Sequence, residues 1–481
     1  MKNLLKKHSL LMYILAFIFI AVLLTWVLPE CTINDGLICE KTDTFKMSLD
    51  IFAEDNKLGL FDVATYSFLS FKYFPMTLAM VLTIFGFYTL LGKLNNYSKL
   101  TDNIAYKFKY HEKLFISLVI LLLSVLSSIM SYPLVVFAFV PFIISIASKM
   151  KLEKVSSISM TVGSILLGMM CSTYSLSIVG ILNNAKAGLG IKFGYDLLSV
   201  GILYILGYFI LRYFTVSRLN LKKSECIKDL FDSKEKINKS ESTLSLGIIF
   251  GVLSIITVLA FIGWDRAFGI TLFKDIHNDF INSYLFHDNV HIFSMLLGKD
   301  FTAFGESDPY YFCGLVIIIT LIIKLMYKIK FEDLINTFVD GLKLAIKPLI
   351  VLSLSYSIIL FAAMYPKLPG LLYTINGNGN PNVFGLFNSG FVTSLFACDF
   401  QYMFSLISGL FTSYTGDNIV AAFVAQVSYG FASFIAPTSA ILVLGLSMYD
   451  IKFSEWIKFI YKFLLTILLV IVLILLIIAV I

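Results

Sequence analysis

Charge is what this sequence has least of. Only 14% of its 481 residues are Asp, Glu, Lys or Arg, where soluble globular chains carry about 25%. So few ions cannot coat a surface, and with 58% hydrophobic residues lipid becomes the expected solvent. Cysteine is also sparse: six residues are too few for a disulfide scaffold. Cys31 and Cys39 share one short polar loop and can either pair or remain thiols. Five histidines in the whole chain leave little material for catalysis. His287 and His291 in HDNVH have a metal-compatible spacing but no further ligands grouped with them, so no metal is assigned. No phosphate-cradling lysine loop, nucleophile elbow, zinc-protease helix or dinucleotide fingerprint occurs, which disfavours an ATP-driven pump and most enzymes. No loop forms a basic stripe interleaved with aromatics, so nucleic acid is not an expected partner, and no cofactor is implied.

What is present is a series of apolar runs separated by loops of alternating charge. Lys2, Lys6 and Lys7 place the N-terminus in the cytoplasm by the positive-inside rule. Leu10 to Leu28 is too long for a signal core and lacks a small-residue cleavage site, so it reads as a retained first span. An acid-rich exterior loop (Glu30 to Lys57), a short aromatic segment (Leu60 to Phe74) and a span opened by Pro75 follow. Lys93 to Lys113 returns to the cytoplasm. Leu114 to Ser148 starts and ends at basic loops, with SSIMSYP in its middle, and reads as a helical hairpin. Val155 to Leu182 is a span interrupted by CSTYSLS, and Leu197 to Leu211 closes the first half.

The second half repeats this order. Residues 1–214 and 311–481 form two repeats; 215–243 is a Lys-rich cytoplasmic linker, 244–263 a connecting span, and 264–310 an extracytoplasmic loop. Phe331 to Ile346 has helical apolar spacing and reads as an interfacial helix, after which Pro348 opens a span. Val383 to Phe411 is a second hairpin with CDFQ at its tip, and Ile419 to Leu446 is broken by APTS. The extra span at 244–263 inverts the second half relative to the first. The expected fold is therefore an all-α integral membrane protein of the inverted-repeat transporter class, with two hairpins, two broken helices and about nine full spans. The C-terminus then lies outside a plasma membrane.

Interrupted helices in inverted repeats mark secondary-transporter sites near the bilayer midplane. A break inside lipid frees backbone N–H and C=O groups, tolerable only where protein, a cavity or a solute satisfies them. A half-helix N-terminus there favours a carboxylate. The candidate substrate residues are Ser127, Ser128 and Ser131, Ser172, Thr173 and Ser175, Asp399 and Gln401, and Thr438 and Ser439. Any one hydroxyl can instead serve close helix packing. Asp399 is the sharpest of them, because intramembrane acids are expensive and usually functional; a tip reaching the interface would leave it merely solvated. Asp399, Thr173 and Thr438 are candidates for a coupling ion, Na⁺ or H⁺.

The segment Phe434 to Leu465, FIAPTSAILVLGLSMYDIKFSEWIKFIYKFLL, resembles the C-terminal end of YfcC-like proteins of the ion transporter superfamily. These are grouped with four-carbon dicarboxylate anaerobic carriers and arginine/ornithine antiporters. In that family a PTS motif interrupts a helix, here Pro437 to Ser439, and a Trp-Leu-Lys-Phe-like cluster starts the last span, here Trp456 to Phe459. NTFVDGLKLAIKPLIV resembles the family's FxDG segment, GSILLGMMCSTYS its GxLGST-type break and LGYFILRYFTVSRL its cytoplasmic entry. The resemblance implies an elevator-type fold and carries over Ser172, Thr173, Thr438 and Ser439 as site residues. The chain departs from the family at both tips, with SSIMS in place of a Gly-rich acidic segment and ACDFQ in place of a Ser/Gly-rich one.

These readings converge on a secondary active transporter, antiporter or ion-coupled symporter, of a small carboxylate-bearing solute, an amino acid or a C4-dicarboxylate, expected to work as a homodimer. A membrane-embedded enzyme or lipid-handling protein, and a channel, are the alternatives; the chain is not expected to be an enzyme.

Overall fold

The computed structural model describes residues 9–28, 31–33, 37–39, 57–184, 188–220, 225–233, 235–237, 242–283, 292–298, 301–365, 367–377 and 381–480. Nearly all of them are helical. The first half comprises α1 (Ser9–Val27), α2 (Leu60–Tyr73), α3 (Pro75–Gly92), α4 (Asn95–Phe108), α5 (Glu112–Ile129), α6 (Pro133–Phe137), α7 (Val140–Lys149), α8 (Lys154–Ile158), α9 (Ser164–Met170), α10 (Val179–Asn183) and α11 (Leu197–Ser217). Then come α12 (Leu244–Phe261) and three short helices, α13 (Trp264–Phe268), α14 (Leu272–Ile281) and α15 (Ile292–Leu297). The second half comprises α16 (Pro309–Met326), α17 (Phe331–Met364), α18 (Leu368–Asn376), α19 (Val383–Phe396), α20 (Phe400–Thr412), α21 (Asn418–Ser433), α22 (Ala440–Met448) and α23 (Phe453–Val480). After α1, β1 (Cys31–Ile33) pairs antiparallel with β2 (Leu37–Cys39), setting Cys31 opposite Cys39, and Cys31 is disulfide-bonded. His287 and His291 lie outside the described residues.

Eight helices among the described residues are long and apolar enough to cross a bilayer, and the chain is a multi-pass membrane protein. Nine spans were expected. The broken spans contribute no single helix of full length, whereas the first hairpin's entering arm, α5, is long enough alone. The hairpin's return arm is cut into α6 and α7, with Pro141 in the first turn of α7.

Proline acts differently in the two halves. Before Pro75 the chain leaves helical geometry at Phe74 (φ −123°, ψ 42°), because the ring crowds the preceding residue out of the α region. Pro348 does not open a helix as its sequence context suggests: it lies inside α17, which runs 34 residues without a break. The interfacial helix and the following span are one element. A Pro in a helix interior costs on the order of 3 kcal/mol, and α17 offsets this through long packing against α3, α2, α22 and α1. Its buried row is Leu334, Thr337, Gly341, Ala345, Pro348 and Leu352, at helical spacing. Two glycines make the crossing with α3 possible: a Cβ on Gly341 would meet Gly86 Cα and Phe85 O at 2.7 Å. Small residues let backbones approach this closely in lipid, where helix association depends on packing.

Each hairpin packs on the broken span that follows it, α5 on α9 and α19 on α21. The two broken spans cross where Gly430 abuts Met170; a Cβ at residue 430 would lie 2.3 Å from the Met170 Cα.

Candidate functional site

A broken helix must place its freed backbone groups somewhere, and both breaks here can be followed group by group. The first begins at Cys171 (φ −112°, ψ 31°) and ends at Ile178, where α10 starts. Met170 O at the end of α9 accepts from Gln426 Nε2 at 3.0 Å, and Tyr195 donates its hydroxyl to Gln426 Oε1. Thr173 O accepts from Gly194 N at 2.9 Å. Ser172 Oγ donates back to Ser128 O in the hairpin at 2.8 Å, and Ser127 Oγ donates to Ile165 O at 2.8 Å.

The second break is satisfied in the same manner by different residues. Phe434 O accepts from Trp456 Nε1 at 2.8 Å, Ile435 O from the Tyr13 hydroxyl at 2.9 Å, and Pro437 O from Ser355 Oγ at 2.5 Å. Thr438 Oγ1 accepts from Cys398 N at 3.0 Å and donates toward Ser394 O and Leu395 O at 3.4 and 3.1 Å. Ser172 and Thr438 thus do the same job in opposite halves, each hydroxyl reaching 44 residues back to a carbonyl near its own hairpin tip.

All four interruptions contribute to one cavity of about 880 Å³. The first hairpin supplies Tyr132 and Pro133, the first break Leu176, Ser177 and Ile178, the second tip Cys398 to Gln401, and the second break Ser439 to Ile441. Tyr73 to Thr77 and Tyr356 form another wall; Arg266, Glu306 and Tyr310 stand at the mouth. The first tip is tied to the mouth as well, since Ser131 N donates to Phe261 O at 2.8 Å and Met130 bridges Ile262.

Asp399 caps α20. Its Oδ1 accepts from Gln401 N at 3.1 Å and Tyr402 N at 3.2 Å, and Oδ2 takes no bond among the described residues. α22 starts at the cavity without a side-chain cap, since Ser439 at its N-cap makes no such bond, so its first-turn N–H groups are available to an anion. Arg266 is the only cation lining the cavity and makes no ion pair among the described residues. Glu306 is offset by Lys274 at 3.6 Å, and the hydrogen bond from Lys274 to Asp265, helped by both carboxylates, raises the ammonium above the usual lysine range.

Among the residues singled out from sequence, Asp399, Gln401 and Ser439 line the cavity. Ser127, Ser172 and Thr438 are fully buried and stitch hairpins to breaks. Ser128 Oγ bonds its own helix at Val125 O, Ser175 Oγ meets Ser177 Oγ at 2.9 Å, Thr173 is buried beside them, and Ser131 Oγ is buried without a partner among the described residues. Sequence reasoning missed Arg266, Tyr356, Tyr429 and Gln426. A Gln inside an apolar run was a usable signal; an arginine in an exterior loop carried none.

Residues 411–481 match the sequence model of a family described as C4-dicarboxylate anaerobic carriers. No protein of curated function matches the chain. Among solved structures, MtrF of Neisseria gonorrhoeae, described with a class of antimetabolite efflux pumps, aligns over 96% of this chain and 93% of its own at 12% identity, with a TM-score of 0.31.

Proposed function

We propose that a chain with these eight apolar helices and a carrier-like C-terminal segment is a secondary active transporter of a small carboxylate-bearing solute. The observation that carries this reading is the convergence of two hairpin tips and two helix breaks on one cavity. The uncapped start of α22 and the unpaired Arg266 both favour a carboxylate, and the family matched at residues 411–481 favours a C4-dicarboxylate over an amino acid. The free Oδ2 of Asp399 is the place for a coupling Na⁺ or H⁺. Ser177, Ser439 and Gln401 supply neutral hydrogen bonds that orient the solute without a costly buried charge.

In this reading the matched order of elements is an inverted repeat. The hairpins with α8–α10 and α21–α22 move as one body, elevator-fashion, against a scaffold built on α3 and α17, in a homodimer whose basic loops face the cytoplasm. Counterflow in proteoliposomes tests it. Saturable exchange is expected for at least one C4-dicarboxylate, with its rate responding to Na⁺ or to a pH gradient. No exchange across a panel of dicarboxylates and amino acids overturns it.

A further inference from the structure

Away from the transport cavity, α5 and α11 diverge at the basic end of the molecule and leave an open groove of about 810 Å³. Its polar rim holds Lys109, Lys113 and Arg212 against one carboxylate, Glu112. None of the three cations is paired with an acid among the described residues. The groove is built firmly: Arg212 Nε donates to Ser117 Oγ and the Tyr208 hydroxyl to Ser117 O at 3.3 Å, while Ser124 and Tyr204 join the two helices by their hydroxyls at 2.8 Å. Arg212 is thereby held through Nε, with its terminal N–H groups taking no partner among the described residues. Tyr110 stands beside it, 83% exposed, with the Lys109 ammonium 5.6 Å from its ring centre. Below the rim the groove is lined by the exposed apolar side chains of Leu114 on α5 and Phe209 on α11, and further along the same two helices Leu118, Leu121, Leu206 and Ile202 are also exposed.

From this juxtaposition we infer a binding site for an anionic phospholipid of the leaflet that faces the basic end, its phosphate held by Lys109, Lys113 and Arg212 and its acyl chains laid along α5 and α11. Three cations over an apolar furrow complement a charged headgroup on a hydrocarbon tail. A soluble protein partner would leave the leucines in lipid, and a free phosphate would leave them unused. Aromatic side chains at the rim suit the headgroup level, and basic pockets between membrane helices at this depth bind anionic headgroups. Because α5 is an arm of the first hairpin, the lipid would also hold that hairpin against α11.

Native mass spectrometry of the full-length protein, titrated with dioleoyl-phosphatidylglycerol or dioleoyl-phosphatidylcholine, tests the site. One tightly held phosphatidylglycerol per chain is expected, not displaced by inorganic phosphate, with phosphatidylcholine lost first. Lys109→Gln/Lys113→Gln, which changes two exposed side chains and leaves the Ser117 contacts intact, is expected to weaken phosphatidylglycerol retention about tenfold or more. Lys328→Gln/Lys330→Gln, at the same end of the molecule, is expected to change nothing. Equal retention of both lipids by the wild type, an equal loss in the two variants, or displacement by inorganic phosphate overturns the site. Counterflow plays no part in this readout, so its outcome stands apart from that of the transport reading.

Discussion

Thr438 holds three backbone groups with one hydroxyl: the Cys398 N–H it accepts and the two carbonyls, Ser394 and Leu395, it can donate to. Valine keeps the shape and removes all of it, leaving buried groups unpaired at a cost on the order of 2–3 kcal/mol. Thr438→Val is therefore expected to lower the melting temperature and abolish uptake, while Thr438→Ser keeps most of both; a valine variant that melts and transports like the parent would refute the stitch. Asp399 separates two roles that sequence alone leaves merged. Asn also caps helices, so Asp399→Asn should preserve the fold while removing the charge. Asp399→Ala should cost about 1 kcal/mol through the lost cap. Ion- or proton-dependent uptake is expected to vanish in both variants, with the melting temperature falling only in the alanine one. Unchanged ion dependence in Asp399→Asn would leave the residue a cap and nothing more. The exceptional character of Asp399, Thr438 and Ser172 was legible because polar residues stand out in apolar runs. Their partners were not. Trp456, Tyr13 and Ser355 look like ordinary membrane residues until the fold brings each to a carbonyl of the second break, over separations no local pattern encodes.

At the scale of elements, the segment between the halves reads as a charged linker, yet part of it is built into the structure. Residues 225–233 and 235–237 run between the end of α3 and the turn from α7 to α8: Lys154 N donates to Glu225 O at 3.0 Å, Ile227 N to Leu152 O at 2.9 Å, and Ile237 N to Lys93 O at 2.9 Å. Phe231 is buried against Phe85 and Tyr88. Composition hides this because a few apolar residues, Ile227 and Phe231, anchor a strap whose other side chains are polar. Asp229 is the strap's weak point. Burial raises its carboxyl above the ordinary aspartate range, only partly opposed by Ser145, the Phe231 N–H and Lys149; Asp232 adds to the rise, and Tyr88, Tyr97 and Tyr449 crowd the same space. A raised carboxyl favours the docked strap while protonated, and that stabilisation is lost as pH climbs from about 4 through the raised value. Protection from hydrogen exchange in residues 225–233 and 235–237, taken relative to the intrinsic exchange rate at each pH, is accordingly expected to fall across that interval, and Asp229→Asn, which still accepts from Phe231 N, should flatten the dependence. Identical pH profiles for the two proteins would rule out Asp229 as the cause. The misreading of Pro348 belongs to this scale too: its ring predicts a break, and only the continuous packing of α17 on α3 through Gly86 and Gly341 explains a helix that runs through it.

At the scale of the whole molecule, the order of elements was readable because each hairpin and each break leaves polar punctuation in apolar sequence. How the halves face each other was not, since α3 and α17 meet through glycines and small side chains that composition does not flag. That contact decides what can move. α17 touches α3 along one side and α22, the second half of a broken span, along another, so an elevator requires the α17–α22 contact to slide while α3–α17 holds. At the basic end this α17–α22 contact carries the ion pair of Lys347 and Asp450, both exposed and at the rim of a small cavity between α1, α17 and α22. Such an exposed pair adds at most about 1 kcal/mol, weak enough to break in each cycle that an elevator would require. Replacing it with a disulfide in Lys347→Cys/Asp450→Cys converts the contact into one that cannot slide. Under oxidising conditions the double variant is expected to lose counterflow, to recover it on reduction, and to keep the ligand-induced thermal shift throughout, since the cavity lies elsewhere. Undiminished counterflow in fully cross-linked protein would mean that α22 does not travel past α17, and the solute would then have to cross by local gating at the two hairpin tips.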